Sequence, residues 1–317
     1  MEQSQELSKA LEELTRATGI ALDIHIQPEA SKEKIDESIR QIRSLCAAYK
    51  EKYNKNYFLL NLMTGTAQDC EISERAARLH IRAVKPRYLF LLESSKKMDE
   101  TVTEVLKQLF PLQEKIYLVP VNEFQLAMLY PVKDGCTSED IHNLAHTIID
   151  TLSMEALTHV QIAYSALIPD LHALPSAYKQ TALALRVGKL FYSEQSVFPF
   201  NKLGIGRLIH ELPEKLCEDF LFEIFGDITS EHLDKDTLAA IDKFFQNNLN
   251  IAETARQLHM HRNTLIYRLE QVEKRTGLDL RQFEDAMTFK IAIMILNYLQ
   301  SERNVSHERS EEHTSEL

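Results

Sequence analysis

Asn250 to Gly277 reads NIAETARQLHMHRNTLIYRLEQVEKRTG. Asn250 offers a side-chain oxygen as N-cap for a first helix over Ile251 to Leu258. Ile251, Thr254, Ala255 and Leu258 recur there at helical spacing and form one narrow apolar face. Ala255 is small where a second helix must cross closely. His259-Met260-His261 breaks the pattern, with Met260 able to plug the gap between helices. The spacing then predicts a second helix over Arg262 to Thr276, with Leu265, Leu269 and Val272 inward and Gly277 just past its end. Its outer face opens with Arg262, Asn263, Thr264, Ile266, Tyr267 and Arg268. Cations, an amide, a hydroxyl and an aromatic in the first two turns are what a recognition helix presents to phosphates and base edges. The pair reads as a helix-turn-helix. An arbitrary antiparallel helix pair would share the apolar spacing, but not the small crossing residue, the short turn and the Arg-Asn-Thr-Leu opening together.

The run from Ala252 to Leu280, AETARQLHMHRNTLIYRLEQVEKRTGLDL, resembles the C-terminal DNA-binding domain of PucR/CdaR-type regulators of purine and carbohydrate-diacid catabolism. It is more distantly similar to Fis-type helix-turn-helices, whose second helix opens with the same four residue types. His259 departs from the general pattern, in which glycine is commonest at that turn position. His261 is expected beside the cap of the second helix, within reach of phosphate.

Outward from this segment the pattern is mixed. Helices are expected over Ser4 to Thr18 and from Pro28 through Tyr49, flanking an alternating strand over Ile20 to Ile26. The second of these helices could face solvent or a twin in a dimer. Two shorter helices, Tyr57 to Met63 and Ile72 to Ile81, come next. The order after Pro86 is strand (Arg87 to Glu93), helix (Met98 to Phe110), two strands (Lys115 to Pro120, Glu123 to Pro131), helix (Asp140 to Met154) and strand (His159 to Leu167). That is the split βαβ order of ferredoxin-like folds, followed by a helix over Leu171 to Leu190.

In PucR/CdaR-type regulators a degenerate GGDEF-like domain of this order precedes the DNA-binding domain. His159 to Phe191 and Ser196 to Ile209 resemble the corresponding stretches, so the likeness covers roughly Leu59 to Leu299. The expected fold class is α+β, a degenerate GGDEF-like (ferredoxin-like βαββαβ) central domain followed by an all-α helix-turn-helix domain. Expected boundaries are 1–55 for an N-terminal α/β segment, 56–200 for the GGDEF-like domain with its leading helices, 201–235 for a helical connector, 236–300 for the DNA-binding domain and 301–317 for a disordered tail. Asp285 to Leu299 is apolar nearly all round and is read as a helix buried from several sides. Arg309 to Leu317, RSEEHTSEL, resembles a translated sequencing adapter and is expected to be foreign to the natural protein.

A net charge of −11 over 317 residues argues against a protein that coats nucleic acid non-specifically. A regulator needs only a local basic face on one module. Four cysteines with no C-x-x-C spacing imply a reducing compartment. With a polar, acidic N-terminus and no apolar run long enough to span a bilayer, cytoplasmic placement is expected.

Candidate chemistry elsewhere is thin. A working GGDEF cyclase needs a glycine-rich acidic hairpin between its second and third strands, whereas this one reads Pro120-Val121-Asn122-Glu123. The first strand ends Glu93-Ser94-Ser95 without an aspartate cluster for Mg²⁺. Catalysis is therefore expected to be lost. Glu139, His142 and His146 share a helix face but fit an exposed polar face better than a metal site, and His259/His261 match no zinc spacing. Gly204-Ile205-Gly206-Arg207 is read as a turn before a helix. The expected reading is a homodimeric regulator of double-stranded DNA, answering an unidentified effector, with no cofactor, metal or catalytic residue; the alternatives are a nucleotide-binding or nucleotide-cyclising enzyme, or a protein-interaction module that retains the helix-turn-helix shape. Its expected DNA contacts are His261, Arg262, Asn263, Thr264, Tyr267 and Arg268.

Overall fold

The computed structural model describes residues 2–18, 32–67, 71–110, 115–132, 135–226 and 234–315. The strand expected over Ile20 to Ile26 lies outside them. The chain forms two compact units. One comprises Met1–Arg186 with Glu194–Lys202, the other Val187–Ser193 with Leu203–Leu317.

In the first unit, α1 (Glu2–Thr18) and α2 (Lys32–Tyr53) close on each other through Leu7, Ala10 and Ile39. Next come α3 (Lys55–Thr64), which ends at Gly65 in the left-handed region at φ 76°, and α4 (Ile72–Arg78). The sheet is built from β1 (Arg87–Ser94), β2 (Tyr117–Pro120), β3 (Gln125–Pro131), β4 (Val160–Tyr164) and β5 (Val197–Pro199), in the order β2-β3-β1-β4-β5. β1 runs antiparallel to both β3 and β4, and β2 antiparallel to β3. With α5 (Glu100–Leu109) and α6 (Ser138–Glu155) as crossovers, this is the split βαβ arrangement expected from the sequence.

Phe90 and Leu92 of β1 pack with Leu106, Ile148 and Leu152 from the two helices. Leu89 and Leu91, on the other face, are buried as well. A strand covered on both faces has no reason to alternate polar and apolar, which is why β1 reads as a continuous apolar run. Beyond α7 (Leu174–Phe191), β5 adds a parallel edge to β4 that the sequence reading did not foresee. Three residues are too short to show any period.

The second unit is helical: α8 (Ile205–His210), α9 (Glu214–Phe225), α10 (Lys235–Gln246), α11 (Ile251–Gln257), α12 (Arg262–Thr276) and α13 (Phe283–Ser315). Phe289 and Ala292 of α13 seal one cluster with α10 and α12, while Met294, Ile295 and Leu299 seal another with Ile209 and Cys217. That double duty explains an apolar surface nearly all round. α9 belongs to the same body, its Phe225 ring meeting Phe289 edge-on at 5.9 Å. α13 runs to Ser315, where a disordered tail was expected from Glu302. No glycine or proline follows Gly277, so nothing in the sequence stops the helix.

α10 starts on Asp234, whose carboxylate accepts from the Thr237 amide at 2.7 Å and its hydroxyl at 2.8 Å. These bonds hold the carboxyl below its ordinary 3.8. A depressed folded value means that the stabilisation is present above the carboxylate range and is lost as pH falls through it. Asp234→Ala should lower the stability of the full chain by about 1 kcal/mol at neutral pH. The gap to the unsubstituted chain should close as acid protonates Asp234, read by denaturant unfolding at several pH values; a gap that persists undiminished in acid would contradict the cap.

Candidate nucleic-acid interface

α11 forms because Asn250 Oδ1 accepts from the Glu253 amide at 3.1 Å, and it ends at Leu258. Its inner side is Thr254 and Ala255, both buried. Thr254 is polar yet satisfied: its hydroxyl donates to the Asn250 carbonyl at 2.7 Å and accepts from Asn247 Nδ2 at 3.2 Å. The turn closes through Met260 N–H to the Ala255 carbonyl at 3.0 Å. Met260 itself packs against the domain core, as the plug the sequence suggested.

His259 sits at φ 51°, in the left-handed region that explains why glycine is usual there. The preceding turn, between α10 and α11, places two more non-glycine residues in that region, Asn248 at 52° and Leu249 at 62°. Asparagine tolerates it through local hydrogen bonding; leucine has no such relief.

α12 occupies Arg262–Thr276, as read from the spacing, and Gly277 ends it at φ 74° with its N–H on the Glu273 carbonyl at 2.8 Å. Leu265, Leu269 and Val272 are buried against α10, α11 and α13. His261 is the N-cap itself: its Nδ1 accepts from the Asn263 amide at 3.2 Å. In that arrangement the neutral ring carries its proton on Nε2, which leaves a donor available to a phosphate.

Arg262, Asn263, Thr264 and Tyr267 are all exposed, Tyr267 by 60%. No acid lies in the first turn of α12. Arg262 makes no ion pair among the described residues, while Arg256 is held by Glu253 at 2.6 Å. Residues 234–300 carry nine Lys or Arg against nine Asp or Glu, so the excess acid of the chain lies elsewhere. Between Thr254 and Leu269 there are three arginines and no acid. A positive helix terminus and an unopposed arginine therefore share one exposed edge.

Arg268 differs from the other candidates. Its guanidinium donates to the Asp236 carbonyl of α10 at 2.8 Å. Arg268 lies three residues after buried Leu265 and so flanks the inner face, but its partner, 32 positions away, leaves no local signal.

In the sheet unit, the β2–β3 hairpin is tied to the end of β1 and the residues after it. Glu123 pairs with Lys97 at 2.6 Å, and Glu93 accepts from Gln125 Nε2 at 2.6 Å. On α6 the His142 and His146 rings stack edge-on at 4.9 Å, and His142 Nδ1 lies 3.3 Å from the Tyr164 hydroxyl. Burial, then His146 and Lys202, push His142 below its ordinary value. Glu139 does not join them in a cluster of three metal-ligating side chains, and no such cluster occurs among the described residues.

Residues 237–295 match the PucR C-terminal helix-turn-helix domain, and residues 64–187 match the GGDEF-like domain. The chain is similar to the purine catabolism regulatory protein of Bacillus subtilis (strain 168), 27% identical over 135 residues, covering 42% of this chain and 25% of that protein. It is also similar to the DNA-binding transcriptional activator AdeR of the same organism, at 20% over 288 residues, covering 84% of this chain and 68% of the relative. The carbohydrate diacid regulator of Escherichia coli (strain K12) is 21% identical over 269 residues, 81% of this chain and 69% of that one. The match thus spans a quarter of the first relative and about two thirds of the others. The domain content is that of PucR/CdaR-type transcriptional regulators, and the α+β reading holds.

The left-handed residue in the turn is directly testable. His259→Gly removes a steric cost of about 1–2 kcal/mol and adds a chain-entropy cost of about 0.5–1 kcal/mol. The variant should therefore unfold at a higher temperature, by up to a few degrees. A lower midpoint by circular dichroism would contradict the turn geometry.

Proposed function

We propose that this chain, joining a GGDEF-like domain to a PucR C-terminal helix-turn-helix domain, is a transcriptional regulator that reads duplex DNA through the outer face of α12. The observation that supports this most is the exposed Arg262-Asn263-Thr264 and Tyr267 edge at an acid-free helix start, backed by the buried Leu265, Leu269 and Val272. In the proposed complex the start of α12 lies in the major groove. Asn263 pairs with adenine or phosphate, Arg262 with guanine or phosphate, and Tyr267 and Thr264 contact sugar, phosphate or a base edge. His261 donates from Nε2 to a backbone phosphate. Arg268 retains further guanidinium donors beyond the one on Asp236 and completes the set.

Such modules act in pairs on half-sites about 34–36 Å apart, so the acting form is a homodimer. The upstream unit responds to a small-molecule effector, and the GGDEF-like domain serves as a scaffold rather than a cyclase. Its hairpin has no glycine for backbone approach to a nucleotide, and its Glu123 is engaged by Lys97. No described helix is long and apolar enough to cross a membrane. Cytoplasmic action follows from the need to reach the chromosome.

Binding by the full chain to a duplex selected from a random pool tests this reading. Asn263→Ala should weaken binding by about 1–3 kcal/mol and relax preference at one base pair. Arg262→Ala should do the same if it reads guanine. If it contacts only phosphate, binding should weaken evenly and the salt slope should fall by about one. Arg268→Ala is the finer case. A loss of about 1–3 kcal/mol at one base pair places it on the DNA; unchanged affinity and slope leave it as a strut to Asp236.

A further inference from the structure

The helical unit holds a cavity of about 290 Å³, away from the outer face of α12, lined by Phe245 of α10, Asn248 and Leu249 of the following turn, and Phe283, Met287 and Lys290 of α13. Its volume is at the small end for ligand sites, which run from about 300 to 1,000 Å³. Phe283 is 69% exposed and Met287 42%, although both are large apolar side chains beside a packed core. Apolar surface of this kind gains when something covers it.

The polar part of the lining has one sign. Lys290 Nζ stands 5.9 Å from the Phe245 ring centroid, and Lys290 makes no ion pair among the described residues. Asn248 adds an amide that can donate, and no carboxylate lines the cavity. One wall is the turn in which Asn248 and Leu249 both take left-handed backbone, at φ 52° and 62°. Sparsely populated backbone persists where the surroundings hold it, and it gathers at binding sites.

We propose that this cavity binds a small monocarboxylate with an aromatic or branched aliphatic body. The body sits against Phe245, Leu249, Phe283 and Met287, where sulfur–aromatic and ring–ring contacts suit a flat group. The carboxylate meets the Lys290 ammonium and the Asn248 amide at the rim. The site stands apart from the DNA-reading face and does not depend on it.

Phenylacetate is the probe, titrated into the full chain by calorimetry, with 2-phenylethanol as its uncharged counterpart. A ligand of this size should bind the unsubstituted protein at roughly millimolar concentration. Lys290→Gln, at an exposed position, should weaken phenylacetate by roughly three- to tenfold and leave 2-phenylethanol unchanged. Phe283→Ala, also exposed, should weaken both, and circular dichroism of each variant confirms that the helices remain. The proposal is overturned by no binding of phenylacetate up to about 10 mM, by equal loss of acid and alcohol on Lys290→Gln, or by an affinity that neither substitution changes.

Discussion

The burial of Leu265, Leu269 and Val272 is the constraint on which the rest of the helical unit depends. A helix of 15 residues is marginal in water by itself, so α12 exists because this stripe packs. Each such side chain contributes about 1.5–3 kcal/mol on leaving water, and deleting one costs about 2–5 kcal/mol. Against a typical total of about 5–15 kcal/mol, losing any one threatens the whole unit. Ala255, 5% exposed, permits the close crossing, and Thr254 beside it can be buried because Asn247 and the Asn250 carbonyl satisfy its hydroxyl. With the inner face fixed, Arg262, Asn263, Thr264 and Tyr267 have no packing role to fill and are available for recognition.

The upstream unit shows a different logic. Its sheet is covered on both faces, and the hairpin that would approach a nucleotide in a cyclase is tied to the end of β1 by Lys97 on Glu123 and Gln125 on Glu93, and within itself by the Phe124 amide donating to Asn122 Oδ1 at 2.8 Å.

Much of this was legible because period and cap chemistry are local. The limits of α12, the Asn250 cap, the Gly277 stop and the Met260 plug all follow from spacing within a few residues. The order of β1 to β4 was legible for the same reason, each strand being long enough to differ from its neighbouring helices. What escaped the reading depends on distant partners or on length. β5 has three residues and exists through its pairing with β4. Arg268 turns to a carbonyl 32 positions away in sequence, and Asn248 and Leu249 adopt left-handed backbone with no glycine to signal it. α13 continues past Leu299 because no breaker follows, although the loss of apolar residues there suggested an end.

The central claim is that the outer face of α12 carries sequence recognition. It is tested most directly by selecting binding sites for the full chain from a random duplex pool, in parallel with a chain in which Asn263 and Tyr267 are both alanine. The account predicts an enriched sequence with two related half-sites about one helical turn apart for the unsubstituted chain, and loss of that enrichment for the variant while its thermal unfolding is unchanged. No enrichment with the unsubstituted chain, or the same enriched sequence with both, would contradict it.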